Sequence, residues 1–157
     1  MDKSLFTRHL SANDIEFFEA LDESLNELAI NSIYNGDYMV SYKLTPKSKH
    51  AIIVCMIKKE KLRLVIWLNQ LQNIKLYGDF IDNLPEYIKR DFRKFPKCTF
   101  CVGKDWQNCG MLCEYIIDGK PYYAHSHGRK AVVEKFEFDD YKYYIQIVKN
   151  ELNNTAS

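Results

Sequence analysis

Four of the five cysteines in this chain fall between Cys98 and Cys113, in the order Cys98-x2-Cys101-x7-Cys109-x3-Cys113, and two histidines follow at His125 and His127. Thiolate and imidazole are the ligands zinc prefers, usually as a tetrahedral set of four. Cys98-x2-Cys101 makes a first ligand pair, because two intervening residues let both sulfurs turn to one point. The second pair must come from another stretch. Cys109 lies in the same irregular loop, and His125 lies on the returning arm of a hairpin. The favoured set is Cys98, Cys101, Cys109 and His125, with Cys113 and His127 in reserve. Strand alternation puts His125 and His127 on one face, so either could reach the metal. The blander reading is that the thiols are small buried hydrophobes, since free cysteine is among the most buried residue types. Cys55, inside an apolar run, fits that description. The polar neighbours Lys97, Thr99, Lys104, Asp105, Gln107 and Asn108 favour ligation for the loop cysteines.

A closed four-ligand zinc is structural, whereas a catalytic one keeps a water and needs a general base nearby. Glu114 and Asp105 are the local carboxylates upstream of the hairpin, and neither sits in a His-Glu-x-x-His motif. The structural role is therefore preferred to a zinc-dependent hydrolase. Cys113 and His127 could face each other across the hairpin as nucleophile and base. Nothing in the sequence supplies an oxyanion hole or a third orienting residue for such a pair. P-loop, Gly-x-Gly-x-x-Gly and Gly-x-Ser-x-Gly motifs are absent. The expectation is a protein that binds rather than catalyses.

The elements that must position these groups follow from periodicity. Ser11 is a helix N-cap, with Asp14 three residues on as a partial capping box. Ile15, Phe18, Leu21, Leu25 and Leu28 then form an apolar stripe. Asn35-Gly36-Asp37 is the expected end of that helix, because Gly and Asn tolerate the left-handed conformation. Beyond it the period becomes two. Tyr38, Val40, Tyr42 and Leu44 alternate up to Pro46. Ala51 to Ile57 is β-rich. After the polar turn Lys58-Lys59-Glu60-Lys61, the residues Leu62, Leu64, Ile66 and Leu68 alternate with Arg63, Val65 and Trp67. The stretch from Asn69 to Phe80 carries no clear period. A helix is expected from Leu84 to Phe95, with Pro85 in its first turn and Pro96 beyond its end. Strands Leu112 to Ile117 and Tyr122 to His127 flank Asp118-Gly119-Lys120-Pro121, a hairpin signal. A last helix runs from about Asp139 to Leu152, with Tyr143, Ile147 and Val148 inward. Short turns between neighbouring strands predict an α+β fold. It has an antiparallel sheet of about five strands, helices mainly on one side, and the cysteine-rich loop between a helix and the C-terminal hairpin. Residues 1–152 make one domain and 153–157 a disordered tail.

The chain has 157 residues, 46% hydrophobic and 27% charged, which suits a globular domain with a substantial core. No charged-then-apolar leader and no bilayer-length apolar run is present, so a cytoplasmic protein with no membrane partner is expected. Reducing conditions there favour metal ligation over disulfides. A net charge of +1 gives no general reason to expect a nucleic-acid partner. The charges are nevertheless uneven. Ala12 to Asp37 holds seven acids and no Lys or Arg, while Lys43 to Arg63 holds seven cations against Glu60 alone. Lys89, Arg90, Arg93, Lys94 and Lys97 form a second basic cluster. Its plain reading is the solvated side of a helix, and its functional reading is an anion or nucleic-acid contact.

From Asn83 to Leu152 the chain resembles a group of small bacterial α+β proteins akin to the YdhG-like family. The shared features are the helix Leu84-Pro85-Glu86-Tyr87-Ile88, a cysteine-rich loop, and a strand with Asp118-Gly119-Lys120-Pro121-Tyr122. The upstream arm Lys61-Leu62-Arg63-Leu64 is similar to the sheet of that group. A metal-binding residue tends to follow the turn there, and His125 falls at the corresponding place. This chain differs in the seven residues between Cys101 and Cys109, and in a histidine where cysteine is common. The resemblance implies the fold and a metal, and no activity. The expectation overall is a binding module with a structural zinc, taking a small ligand or a protein partner. The alternatives are a zinc-dependent hydrolase and a nucleic-acid-associated accessory protein. The last requires Lys58, Lys59, Lys61 and Arg63 to share a surface with the Lys89–Lys97 cluster.

Overall fold

The computed structural model describes residues 3–48, 51–67, 78–93, 112–125 and 130–155. Helices α1 (Lys3–Thr7) and α2 (Ala12–Glu27) lead into strands β1 (Ser32–Tyr34), β2 (Met39–Tyr42), β3 (Ile53–Lys58) and β4 (Lys61–Trp67). Helices α3 (Gly78–Asp82) and α4 (Glu86–Phe92) precede β5 (Leu112–Ile117), β6 (Lys120–His125) and β7 (Lys130–Val133). A 3-10 turn at Phe138–Asp140 opens the last helix, α5 (Tyr141–Thr155). Five strands form one antiparallel sheet in the order β1-β2-β3-β4-β7, and β5-β6 forms a separate hairpin. Among the described residues no helix is long and apolar enough to cross a membrane.

Alternation sorts the sheet into two faces. Val40, Tyr42, Ile53, Cys55, Leu64, Ile66, Ala131 and Val133 are buried on one of them. Phe17, Phe18, Leu21 and Leu25 of α2 and Tyr144, Ile147 and Val148 of α5 belong to the same core. So do Ile88 and Phe92 of α4 and Tyr115 and Ile117 of β5. Burying each such large side chain contributes about 1.5–3 kcal/mol. The opposite face carries Val54, Met56, Arg63, Val65, Trp67 and Val132, all half-buried. The α+β fold with its five-stranded antiparallel sheet is thus as the periodicity indicates.

Several boundaries differ from expectation, each for a local reason. Helix α2 begins at Ser11, whose hydroxyl accepts the Asp14 N–H at 3.3 Å. It ends at Glu27, well before Asn35. Ala29 (φ 59°) donates to Asn26 and Ile30 donates to Leu25, a Schellman closure that needs no glycine. Residues Ser32–Tyr34 then pair with Val40–Tyr42, so Asn35-Gly36-Asp37 is a strand-to-strand turn. The helix expected from Leu84 to Phe95 is α4 alone, with Pro85 just outside its first turn. In the β5-β6 hairpin only Asp118 (φ 50°) and Gly119 (φ 72°) form the turn, the positive-φ pair that two-residue hairpins favour. On α5 it is Tyr144, not Tyr143, that is fully buried, and the helix continues to Thr155.

Candidate functional site

The β3-β4 hairpin presents its cations through an uncommon turn. Lys58 pairs with Lys61, leaving Lys59 (φ 52°) and Glu60 (φ 59°) as the two central residues. Both adopt the left-handed region without glycine, a conformation that costs a side-chain-bearing residue energy. A cleft of about 490 Å³ beside this turn is lined by Lys58, Lys59, Lys61, Leu62, Arg63 and Glu134. A second cleft of about 480 Å³ is lined by Arg63, Arg90, Asp91, Val132, Glu134 and Lys135. Arg63 and Glu134 line both, so the two clefts adjoin.

Strand register explains the junction. Leu64 faces Val133 across β4-β7, so the next pair along would be Arg63 and Glu134. Their side chains meet, with Arg63 Nη2 at 2.5 Å from Glu134 Oε1. Arg63 is only a quarter exposed, and its Nε is buried without a hydrogen-bond partner among the described residues. Helix α4 packs against β7 and delivers Arg90, whose Nε lies 3.7 Å from Asp91 Oδ1. Among the described lining residues cations outnumber acids in both clefts, and this arrangement suits anion binding.

The second basic cluster divides. Arg90 reaches the cleft, but Lys89 and Arg93 are structural. Lys89 Nζ donates to Asp118 Oδ1 at 2.9 Å and to the Asp82 carbonyl at 3.2 Å, and it also pairs with Glu86 at 2.9 Å. Arg93 bridges Glu86 (2.9 Å) and Asp118 (2.5 Å). The Asp118 N–H donates to Asp82 Oδ1 at 2.9 Å, and the Tyr115 hydroxyl donates to the Phe92 carbonyl at 2.9 Å. These contacts clamp the β5-β6 hairpin to α4 and to the end of α3. Hydrogen bonds from Arg93 and Lys89 hold the Glu86 carboxyl down to about 2. The Lys89 hydrogen bond likewise lowers Asp118, and Asp118 in turn raises Lys89. The solvated reading of Lys89 is therefore corrected, since it is only 7% exposed. Lys94 and Lys97 lie outside the described residues.

Cys98, Cys101, Cys109, Asp105 and His127 also lie outside the described residues. His125 ends β6, its backbone opposite Leu112, and Cys113 stands opposite Ala124. Glu114 is exposed on β5. Among the described residues no group of three His, Cys, Asp or Glu is placed to hold a metal. Cys55 is buried in β3, and burial pushes its thiol up, as expected for a packed cysteine. Glu134 and Lys135 had no part in the sequence reading. They sit just past a four-residue strand, and no spacing signals that Arg63 lies across from them.

Comparison of the chain with protein-family models, with curated proteins and with solved structures yields no match.

Proposed function

We propose that this protein is a non-catalytic binding module that holds the phosphate backbone of nucleic acid in its cation-lined clefts. The supporting observation is the joining of two basic segments distant in sequence. Arg63 of the β3-β4 hairpin and Arg90 of α4 line one cleft with Lys135, and Lys58, Lys59 and Lys61 line its neighbour. Lys61 and Arg63 alternate along one strand face, which spaces them about 7 Å apart. A row of separated cations fits successive phosphates better than one small anion. Charge lies unevenly about the sheet. The exposed acids Glu16, Glu23 and Glu27 belong to α2, which covers the buried face, so the outer surface of that helix and the clefts differ in sign. Phosphate contacts of this kind position a polyanion without reading its sequence.

The test is fluorescence anisotropy with labelled single-stranded and duplex DNA across a salt series. Neutralising three or four phosphates gives a log–log slope of about −2 to −4. Salt-insensitive binding, or none, overturns the reading.

We propose that Cys98, Cys101, Cys109 and His125 close a structural zinc. What supports it is the cysteine spacing together with the β5-β6 register. Leu112 lies opposite His125, and Cys109 is three residues before Leu112. Chain length alone keeps Cys109 within about 11 Å of Leu112 at Cα. Metal analysis of purified protein should give one equivalent of zinc. Cys98→Ser and His125→Ala should each lose it and unfold more readily. Metal-free protein of unchanged stability would remove the zinc.

A further inference from the structure

We infer that Glu134 occupies the phosphate subsite at the centre of the basic surface, holding Arg63 until a phosphodiester oxygen takes its place. This inference rests on the nucleic-acid reading above and adds what sets affinity there. Glu134 is the carboxylate that lines both clefts, at the point where they adjoin. A carboxylate and a phosphate present similar oxygens to a guanidinium, so the Arg63 partner marks where a phosphate fits. The pair is unequal. The Arg63 side chain is 25% exposed and Glu134 65% exposed. The arginine side chain is mostly covered, while the carboxylate is mostly in water. An ion pair with so exposed a partner contributes little, so displacing it costs little. The Glu134 contact is made at Nη2, and Nε has no hydrogen-bond partner among the described residues. Asp91, the other carboxylate of the cleft that Arg90 lines, is mostly buried and lies beside Arg90 on its own helix. It is not at the junction.

Displacement has a measurable signature. In the wild type Arg63 exchanges one anion for another, so it releases no counterion on binding. Without Glu134 it does. Anisotropy with a labelled single-stranded oligonucleotide should show Glu134→Gln binding about three- to fivefold tighter. Its salt slope should steepen by about 0.7. At least half of the gain in affinity should vanish when Arg63 is already Ala. Glu16→Gln on α2 removes the same charge elsewhere and should change affinity less than about twofold. Wild-type binding with no gain in Glu134→Gln overturns the inference and leaves the nucleic-acid reading standing. An equal gain in Glu16→Gln also overturns it, because the effect is then one of overall charge. No binding by either the wild type or Glu134→Gln overturns both.

Discussion

Lys89 Nζ lies 2.9 Å from Asp118 Oδ1, and the two are 29 residues apart. That contact, with Glu86 and Arg93, turns a helix that looks like a basic surface into a clamp on the β5-β6 turn. It leaves Arg90 as the helix's described cation in the cleft, beside Asp91.

The clamp gives stability a defined acid limb. Glu86 is held down from 4.5 to about 2 by Arg93 and Lys89, and Asp118 is lowered from 3.8 by Lys89. A carboxylate with a depressed folded value stabilises fully above its unfolded value and loses that contribution as pH falls through the folded one. Denaturant unfolding should therefore show stability falling as pH drops from about 4.5 toward 2. Glu86→Gln should flatten that fall and lower stability at neutral pH. An identical pH profile in the variant would mean that Glu86 contributes nothing to the clamp.

Ala29 carries φ 59° at the close of α2, a place where glycine is cheaper. Ala29→Gly should stabilise the protein by about 1 kcal/mol, since relief of left-handed strain outweighs the added chain entropy. Thermal unfolding should rise by about 2–4 °C. A fall in Tm would show that Ala29 is not strained.

The turn at Lys59 and Glu60 combines strain with charge. Replacing the pair by Asn-Gly supplies residues suited to positive φ and should add about 1 kcal/mol of stability. The same change removes a cleft cation together with the neighbouring acid Glu60, so the salt slope should fall by about 0.7–0.9, and affinity should fall less than in Lys59→Asn alone. Gain in stability with unchanged binding would take Lys59 out of the site.

Long alternating runs carried the fold into the sequence. Tyr38, Val40 and Tyr42, and then Leu62, Leu64 and Ile66, mark strands because every second residue is apolar. The Asp118-Gly119 turn is legible because its chemistry is local. Strands β1 and β7 have three and four residues, too few to show a period, and they exist because β2 and β4 offer free edges. The helix end at Glu27 was hidden because Ala29 does the work usually given to glycine. The site was half legible. Both basic segments stand out in sequence, but their meeting depends on α4 packing against β7. Glu134 and the burial of Lys89 depend on register and on a partner far along the chain. The cysteine spacing points to zinc, but Cys98, Cys101 and Cys109 lie outside the described residues.

The most direct measurement compares oligonucleotide affinity in the wild type, in Arg63→Glu/Arg90→Glu, and in Lys142→Glu. Lys142 is exposed on α5 and lines neither cleft. Circular dichroism should confirm that all three are folded. The double reversal should lower affinity about thirtyfold or more, and Lys142→Glu less than about threefold. Equal affinities in the wild type and the folded double variant would contradict the account.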